Sequence, residues 1–215
     1  MLTVRGSEQF FAGVVLLDCA PLQAECISLF AASSTENRLK HFEGYRGAAF
    51  LASVCGRFAL EFVLWENAAA LATVQRNPLF SEHIKIVEHH VKTHYVAFST
   101  RHEICGRSGI SFTRGERFLC ALYTPCTPAS LAGAREQIRS MAEVETAGVL
   151  FHSTENGASF VLLSKGAFDA PAAAALSATC GEPAFKGAFM VVESIPAPSD
   201  AERFPPPYRL ALSAA

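Results

Sequence analysis

Short apolar runs alternate with amphipathic stretches along the chain, and turn signals separate them. Apolar runs of strand length predict β-strands, and apolar spacing with a period near 3.6 predicts helices. Gly56-Arg57 between two apolar runs is a hairpin signal. In the first half we predict strands at Phe11–Asp18, Gly47–Cys55, Phe58–Trp65 and about Tyr95–Ser99, with helices at Pro21 to about His41, from Asn67, and at Leu79–His90.

The second half repeats the order strand, helix, strand, strand, helix, strand. We predict strands at Phe118–Tyr123, Thr146–Ser153, Ser159–Ser164 and Phe185–Glu193, with helices at about Ala129–Val144 and Pro171–Thr179. An offset of 105 residues also recurs. It aligns Val14–Leu17 with Leu119–Leu122, Ala68–Leu71 with Ala173–Leu176, and Pro78–Phe80 with Pro183–Phe185. The repeated order indicates an internal duplication.

Each half therefore reads as a ferredoxin-like βαββαβ unit of the α+β class. Such a unit leaves one sheet face bare, and two sheets facing each other would cover it. We expect domains at 1–100 and 116–195, a linker at 101–115 and a Pro-rich tail at 196–215. Alternation along Phe58–Trp65 puts Glu61 and Trp65 on one face, which we assign to the space between the two sheets.

Composition narrows the classes of partner. Apolar residues make up 50% of the chain, charged residues 18%, and the net charge is -2 without a cluster of basic residues. We therefore expect no nucleic acid and no membrane as partners. Seven cysteines with irregular spacing fit neither a disulfide framework nor a zinc site, which favours reduced thiols in the cytoplasm. The apolar excess suggests a further buried surface, as in a homodimer.

A family resemblance appears between Phe42 and Glu103. The residues that carry it are Gly47–Ser53 (GAAFLAS), Leu64-Trp65-Glu66 at a strand end, and Asn77–His83 (NPLFSEH). This stretch resembles the antibiotic-biosynthesis monooxygenase family, whose members are dimeric α+β barrels. The resemblance implies that the two halves form such a barrel within one chain. It also implies a pocket between sheet and helices in which O2 oxidises an electron-rich aromatic molecule without metal or flavin.

The resemblance implies roles for two residues and alternation adds a third. Trp65 would be the stacking wall of the pocket, and His83 the base or orienting group. Glu61 would point a carboxylate into the same cavity, where burial raises basicity. A Trp at a strand end is also typical of core packing. A His on an amphipathic helix is often a surface group, and a strand Glu can serve a salt bridge.

Histidines cluster in the later part of this stretch, at His83, His89, His90 and His94. His90 and His94 are four residues apart, so on one helix they would share a face suited to metal binding, although no H-E-x-x-H motif is present and no metal is expected. Haem-degrading relatives in the same superfamily bind iron through a helix His that His83 would match. Their second Trp and first-strand Asn are missing here, which disfavours haem degradation and leaves haem binding open.

Three functions follow from these residues. The first is a cofactor-independent monooxygenase acting on an aromatic or polyphenolic small molecule. The second is a non-catalytic small-molecule-binding or stress-response barrel, and the third is a haem or metal binder. Trp65 and His83 lining one cavity would favour the first, and a barrel interior filled with Phe and Leu the second. Ala170 and Ala188 stand 105 residues after Trp65 and His83, so the second half is predicted to be a degenerate structural cover.

Overall fold

The structure is a computed structural model of the 215-residue chain. It describes residues 1–5, 10–89, 91–105, 109–123, 127, 129, 131–133, 136, 148–153, 159–164, 178 and 183–199. The strands are β1 (Leu2–Val4), β2 (Phe11–Cys19), β3 (Tyr45–Ser53), β4 (Phe58–Trp65), β5 (Val91–Cys105), β6 (Ile110–Phe112), β7 (Arg117–Tyr123), β8 (Gly148–Ser153), β9 (Ser159–Ser164) and β10 (Phe185–Pro196). The helices are α1 (Ala24–Asn37), α2 (Ala68–Gln75) and α3 (Pro78–His89), with a short 3-10 helix at Leu39–His41.

Eight antiparallel strands close into a barrel in the order β10-β3-β4-β2-β5-β8-β9-β7. Closure removes the open edges that an isolated sheet would expose. A separate two-stranded ribbon pairs β1 with β6. The predicted α+β class is confirmed. None of the helices in the described part of the chain is long and apolar enough to cross a membrane.

The barrel interior is filled with apolar side chains. Alternate residues of β4, such as Phe62, point inward and meet the inward-facing residues of β2, β3, β7 and β10. Ring contacts continue across the interior, because Phe62 packs on Phe112 at 4.6 Å between centroids and Phe112 stacks on Phe118 at 5.0 Å. The interior is therefore a packed core.

The β1–β6 ribbon completes that core. Its four inward side chains, Leu2, Val4, Ile110 and Phe112, are buried in the same cluster as the barrel residues. Gly109 directly precedes β6 and has a positive φ of 86°, and a Cβ there would lie 2.2 Å from the Val4 carbonyl oxygen. The turn into β6 thus needs glycine both for its backbone angle and for its close approach to β1.

Helices cover the outer face of β3 and β4. A sheet-facing stripe of α1 is buried there, and Ser28 Oγ donates a hydrogen bond of 3.2 Å to the Leu51 carbonyl oxygen. Helix α2 begins after Asn67, whose side chain accepts a hydrogen bond of 2.9 Å from the Ala70 amide, the N-cap arrangement that Asn favours. The helix layer creates a second apolar interface outside the barrel.

Several element bounds differ from the predictions. Strand β5 runs to Cys105 and β6 follows, so part of the segment 101–115 is strand. The third match at the 105-residue offset is wrong, because Pro78–Phe80 begins a helix and Phe185 begins a strand. Most of the two helices predicted for the second half, and the tail from residue 200, lie outside the described residues.

Candidate active site

Trp65 ends β4 on the face that the helices cover. It is 1% exposed and packs with residues of α1, α2 and β3. The Tyr45 ring meets it edge-on at 5.7 Å between centroids, and the Tyr45 hydroxyl donates to the Ile195 carbonyl oxygen at 3.1 Å. Burial, with a smaller contribution from Glu36, raises the pKa of Tyr45. Trp65 is therefore packed in the interface between sheet and helices.

Glu61 lies on the same outer face of β4, paired with Val15 of β2 and Phe50 of β3. It is only 6% exposed, and its neighbours in the sheet are apolar. Its Oε1 atom has no hydrogen-bond partner among the residues that the structure describes. A buried carboxyl oxygen without a hydrogen-bond partner is rare in folded proteins, because burial without hydrogen bonding costs free energy.

The electrostatics of Glu61 follow from that burial. Desolvation raises its pKa from 4.5 to about 8, since the charged form loses its water. Burial likewise raises the pKa of Cys19 to about 11, with a smaller contribution from the Glu61 charge. Glu61 is thus mainly a neutral carboxylic acid at pH 7, and its pKa lies in the range that suits a general base near neutral pH.

The assignment of Glu61 and Trp65 to the space between the two sheets is wrong. Leu60, Phe62 and Leu64 occupy the interior, and the alternate residues face the helices. Both faces of β4 are buried, so alternation alone did not identify the inner one. Glu61 and Trp65 are four residues apart on one strand, which separates their Cα atoms by about 13 Å.

Helix α1 supplies a polar group that the sequence did not single out. Thr35 is fully buried on the sheet-facing stripe of α1, and its Oγ1 atom finds no hydrogen-bond partner within the described part of the chain. Its position about one turn after the buried Ala31 and Ala32 was the available signal, but a Thr in a helix is too common to be informative. Tyr45, beside Trp65, was also missed.

The histidines are placed only in part. His83 lies in α3, but the position of its side chain is outside what the structure describes. His90 also lies outside the described residues. The helical spacing assumed for His90 and His94 is wrong, because α3 ends at His89 and His94 lies in β5, paired with Leu17. The described residues contain no group of three or more His, Cys, Asp or Glu that could hold a metal ion.

Solved structures share this fold. An anthrone oxidase-like protein is 13% identical, with a TM-score of 0.71, and the match covers 91% of this chain and 97% of that one. A candidate monooxygenase from Lactobacillus acidophilus is 9% identical, with a TM-score of 0.60 and coverage of 88% and 97%. A mutant chlorite dismutase from Candidatus Nitrospira defluvii is 10% identical, with a TM-score of 0.52 and coverage of 88% and 92%.

No family model matches the sequence, and no curated protein matches it. At these identities the solved structures establish the fold alone. The class of protein is therefore an α+β barrel of the architecture that these structures share.

Proposed function

We propose that this chain is a cofactor-independent monooxygenase that oxidises an electron-rich aromatic small molecule with O2. The observation that carries the proposal is the carboxyl group of Glu61, which is buried between the sheet and the helices with an unpartnered oxygen and a pKa of about 8. The fold shared with an anthrone oxidase-like protein is consistent with it. Trp65, on the same face, would be an aromatic wall for the substrate.

In the proposed reaction the Glu61 carboxylate removes a proton from the substrate and leaves an electron-rich anion. The anion transfers electrons to O2, one oxygen atom forms a new carbonyl group on the ring carbon, and the other leaves as water. A methylene carbon thus loses two hydrogens while O2 is fully consumed, so no external reductant is needed. A base with a pKa near the working pH is suited to this step. His83 stays proposed as a base or orienting group.

Oxygen uptake by chelator-treated protein would test this proposal. The substrates would be a panel of anthrones, hydroquinones and polyphenols, and the variants Glu61→Gln, Trp65→Phe and His83→Ala. We expect Glu61→Gln to lower the rate by about 100-fold or more, the usual contribution of a general base. The wild-type rate should rise with pH and level off above about 8.

The matched control is Glu25→Gln, because Glu25 is an exposed carboxylate on α1. It should leave the rate and its pH dependence unchanged. Equal rates in wild type and Glu61→Gln, or uptake that the chelator abolishes, would contradict the proposal.

A non-catalytic binding barrel is the second candidate. The filled interior favours it by the criterion set from the sequence, since Phe and Leu side chains occupy the space between the two parts of the sheet. A filled interior argues against a substrate cavity inside the barrel. It does not bear on the proposed site, because Glu61 and Trp65 face the helices outside the barrel. Ligand binding without oxygen uptake would support this second function. The haem alternative rests on His83, and a Soret band on haem titration would test it.

We also propose that the chain consists of two tandem ferredoxin-like units, with a degenerate second unit. The strand orders support this, because β5-β2-β4-β3 and β10-β7-β9-β8 repeat one arrangement, each beginning at the last strand of its own half. The pairings β5 with β8 and β10 with β3 then join the units into one barrel. A homodimer, as expected from composition, would have twice the 23.1 kDa chain mass in light scattering.

A further inference from the structure

The core inside the barrel is complete without α1. Every buried residue of the interior cluster, Phe62 and Phe189 among them, belongs to a strand. Helix α1 packs instead on the outer face of the sheet, where its residues belong to two other apolar clusters. The ring of strands is closed by pairings between strands alone. The barrel therefore does not need α1 in place to keep its interior packed.

The stripe of α1 that faces the sheet is made mostly of small side chains. It contains three alanines, Ser28 and Thr35, and Ile27 is its one large apolar residue. Such a stripe removes little apolar surface from water, so it contributes little to holding the helix on the sheet. Within the described part of the chain, one side-chain hydrogen bond joins this stripe to the sheet, from Ser28 to the Leu51 carbonyl oxygen. Helix α1 is thus weakly attached.

Two buried polar oxygens oppose that attachment. Thr35 Oγ1 belongs to α1 and Glu61 Oε1 to β4, and neither has a hydrogen-bond partner among the residues that the structure describes. Each oxygen loses its water when α1 covers the sheet, and this cost would disappear once water returned to the interface. The cost grows when Glu61 is ionised, because an unpaired buried charge is far less favourable than a neutral acid.

No described neighbour brings a positive charge to Glu61. Val15 and Phe50 flank it in the sheet, and Glu193 of β10 is in register with Phe50. Cys19 of β2 is a neutral thiol at pH 7, because burial raises its pKa to about 11. The charged residues of α1 and α3 with described side chains are all exposed, namely Glu25, Glu36, Glu82 and Lys85. Four further side chains lie outside what the structure describes, those of His83, Glu88 and His89 on α3 and of His94 on β5.

We propose that α1 is a lid on the outer face of the barrel, which separates from the sheet while the barrel stays closed and is driven to separate by ionisation of Glu61. The inference concerns a motion of the chain, and it stands whether or not the protein oxidises a substrate. In the closed form Glu61 is buried. Separation of α1 brings water and dissolved molecules to its carboxyl group.

The pH dependence of the lid follows from the proton that Glu61 holds. Burial raises the pKa of Glu61 to about 8 in the closed form, and the open form has the ordinary value of 4.5. Opening therefore releases a proton between these values, so the closed form is most favoured below about pH 4.5 and loses that advantage as pH rises to about 8. From pH 6 to pH 8 the open population should rise about 10- to 50-fold, the lower figure allowing for water that enters the closed interface.

Two buried thiols distinguish opening of the lid from unfolding of the barrel. Cys19 belongs to the cluster that includes Ala24 and Ile27 of α1, whereas Cys120 belongs to the barrel interior. Alkylation by iodoacetamide at pH 6, 7 and 8, followed by peptide mass spectrometry, gives a separate rate for each thiol. Each rate is divided by that of the same thiol in the urea-unfolded chain at the same pH. This division removes the pH dependence of thiol reactivity itself.

At pH 8 the corrected rate of Cys19 should exceed that of Cys120 by about tenfold or more, because local opening requires less free energy than global unfolding. Between pH 6 and pH 8 the corrected Cys19 rate should rise about 10- to 50-fold in wild type and stay constant in Glu61→Gln. Glu25→Gln is the matched control and should follow wild type. Thr35→Val should slow the labelling of Cys19 about fivefold at every pH, because it removes one unpartnered buried hydroxyl.

Equal corrected rates for Cys19 and Cys120 in wild type would overturn the lid, because both thiols would then report unfolding of the whole chain. This comparison is made within one molecule, so it does not depend on how well any variant folds. A Cys19 rate that rises no more in wild type than in Glu61→Gln would overturn the role of Glu61 as the driving group.

Discussion

Replacing Glu61 should change how the stability of the protein depends on pH. In the folded state burial raises the pKa of Glu61 to about 8, whereas the unfolded chain has the ordinary value of 4.5. Between these values the unfolded state releases a proton that the folded state retains. Wild type is therefore most stable below about pH 4.5 with respect to this group, and loses stability as pH rises to about 8. Above that pH both states are ionised and the loss stays constant.

The difference between the two pKa values, 8 minus 4.5, sets the size of the effect. At 1.36 kcal/mol per unit the full loss would be about 5 kcal/mol. Relaxation of the folded state and entry of water reduce such penalties, so we expect a loss of about 2 to 5 kcal/mol. That is a large share of the stability of a single domain.

Urea unfolding followed by Trp65 fluorescence measures this loss at pH 5, 6.5 and 8. The comparison is between wild type and Glu61→Gln, which has no ionisable group and should lack this part of the pH dependence. Burying the glutamine amide has a free-energy cost that does not depend on pH. This cost cancels when the unfolding free energies of the variant at two pH values are subtracted. Glu25→Gln is the matched control and should follow wild type. Parallel curves for wild type and Glu61→Gln between pH 5 and 8 would refute the burial of this carboxyl group.

Three further perturbations test other parts of the fold. Phe62→Leu, on the inner face, should lower the free energy of urea unfolding by about 1 to 1.5 kcal/mol and leave the pH dependence of stability as in wild type; a changed pH dependence would contradict the separation of the two faces. Gly109→Ala should lower the thermal midpoint more than Gly115→Ala, because both have a φ of 86° but only Gly109 has backbone within 4 Å of the added Cβ. Equal midpoints would argue against the close contact of the β1–β6 ribbon. Ser53→Ala should slow the alkylation of Cys55 by iodoacetamide, measured by mass spectrometry. Ser53 Oγ accepts hydrogen bonds from two backbone amides, so its own proton is directed at Cys55 Sγ, 3.3 Å away. This hydrogen bond lowers the pKa of the Cys55 thiol. An unchanged rate would exclude that hydrogen bond.

The elements with a strong local signal were predictable from the sequence. Phe58–Trp65 and Ser159–Ser164 have the predicted bounds, because a turn signal lies beside each apolar run. The helix after Asn67 begins as predicted, since Asn favours the N-cap. The three-residue strands β1 and β6 could not be predicted, because they are too short for a period and their pairing spans more than 100 residues of chain.

A residue of the candidate site was predictable only where its polarity differs from that of its neighbours in the sequence. Glu61 stands out because it is a carboxylate within an apolar strand, and the structure buries it. Its face could not be derived, since β4 is covered by the barrel interior on one side and by helices on the other. Thr35 gave no signal, because its burial depends on where α1 lies on the sheet, and a hydrogen bond between distant residues fixes that position.

Closure of the barrel explains why a candidate site lies outside it. The two parts of the sheet cover each other's inner faces, and the interior fills with large apolar side chains that meet across a short distance. The outer face of β3 and β4 instead meets a stripe of α1 that includes alanine, serine and threonine side chains, so polar groups are buried there beside apolar ones. Under the proposed function, the packed core and the catalytic site would lie on opposite faces of the same strands. On β4 the division falls between adjacent residues, with Phe62 in the core and Glu61 in the candidate site.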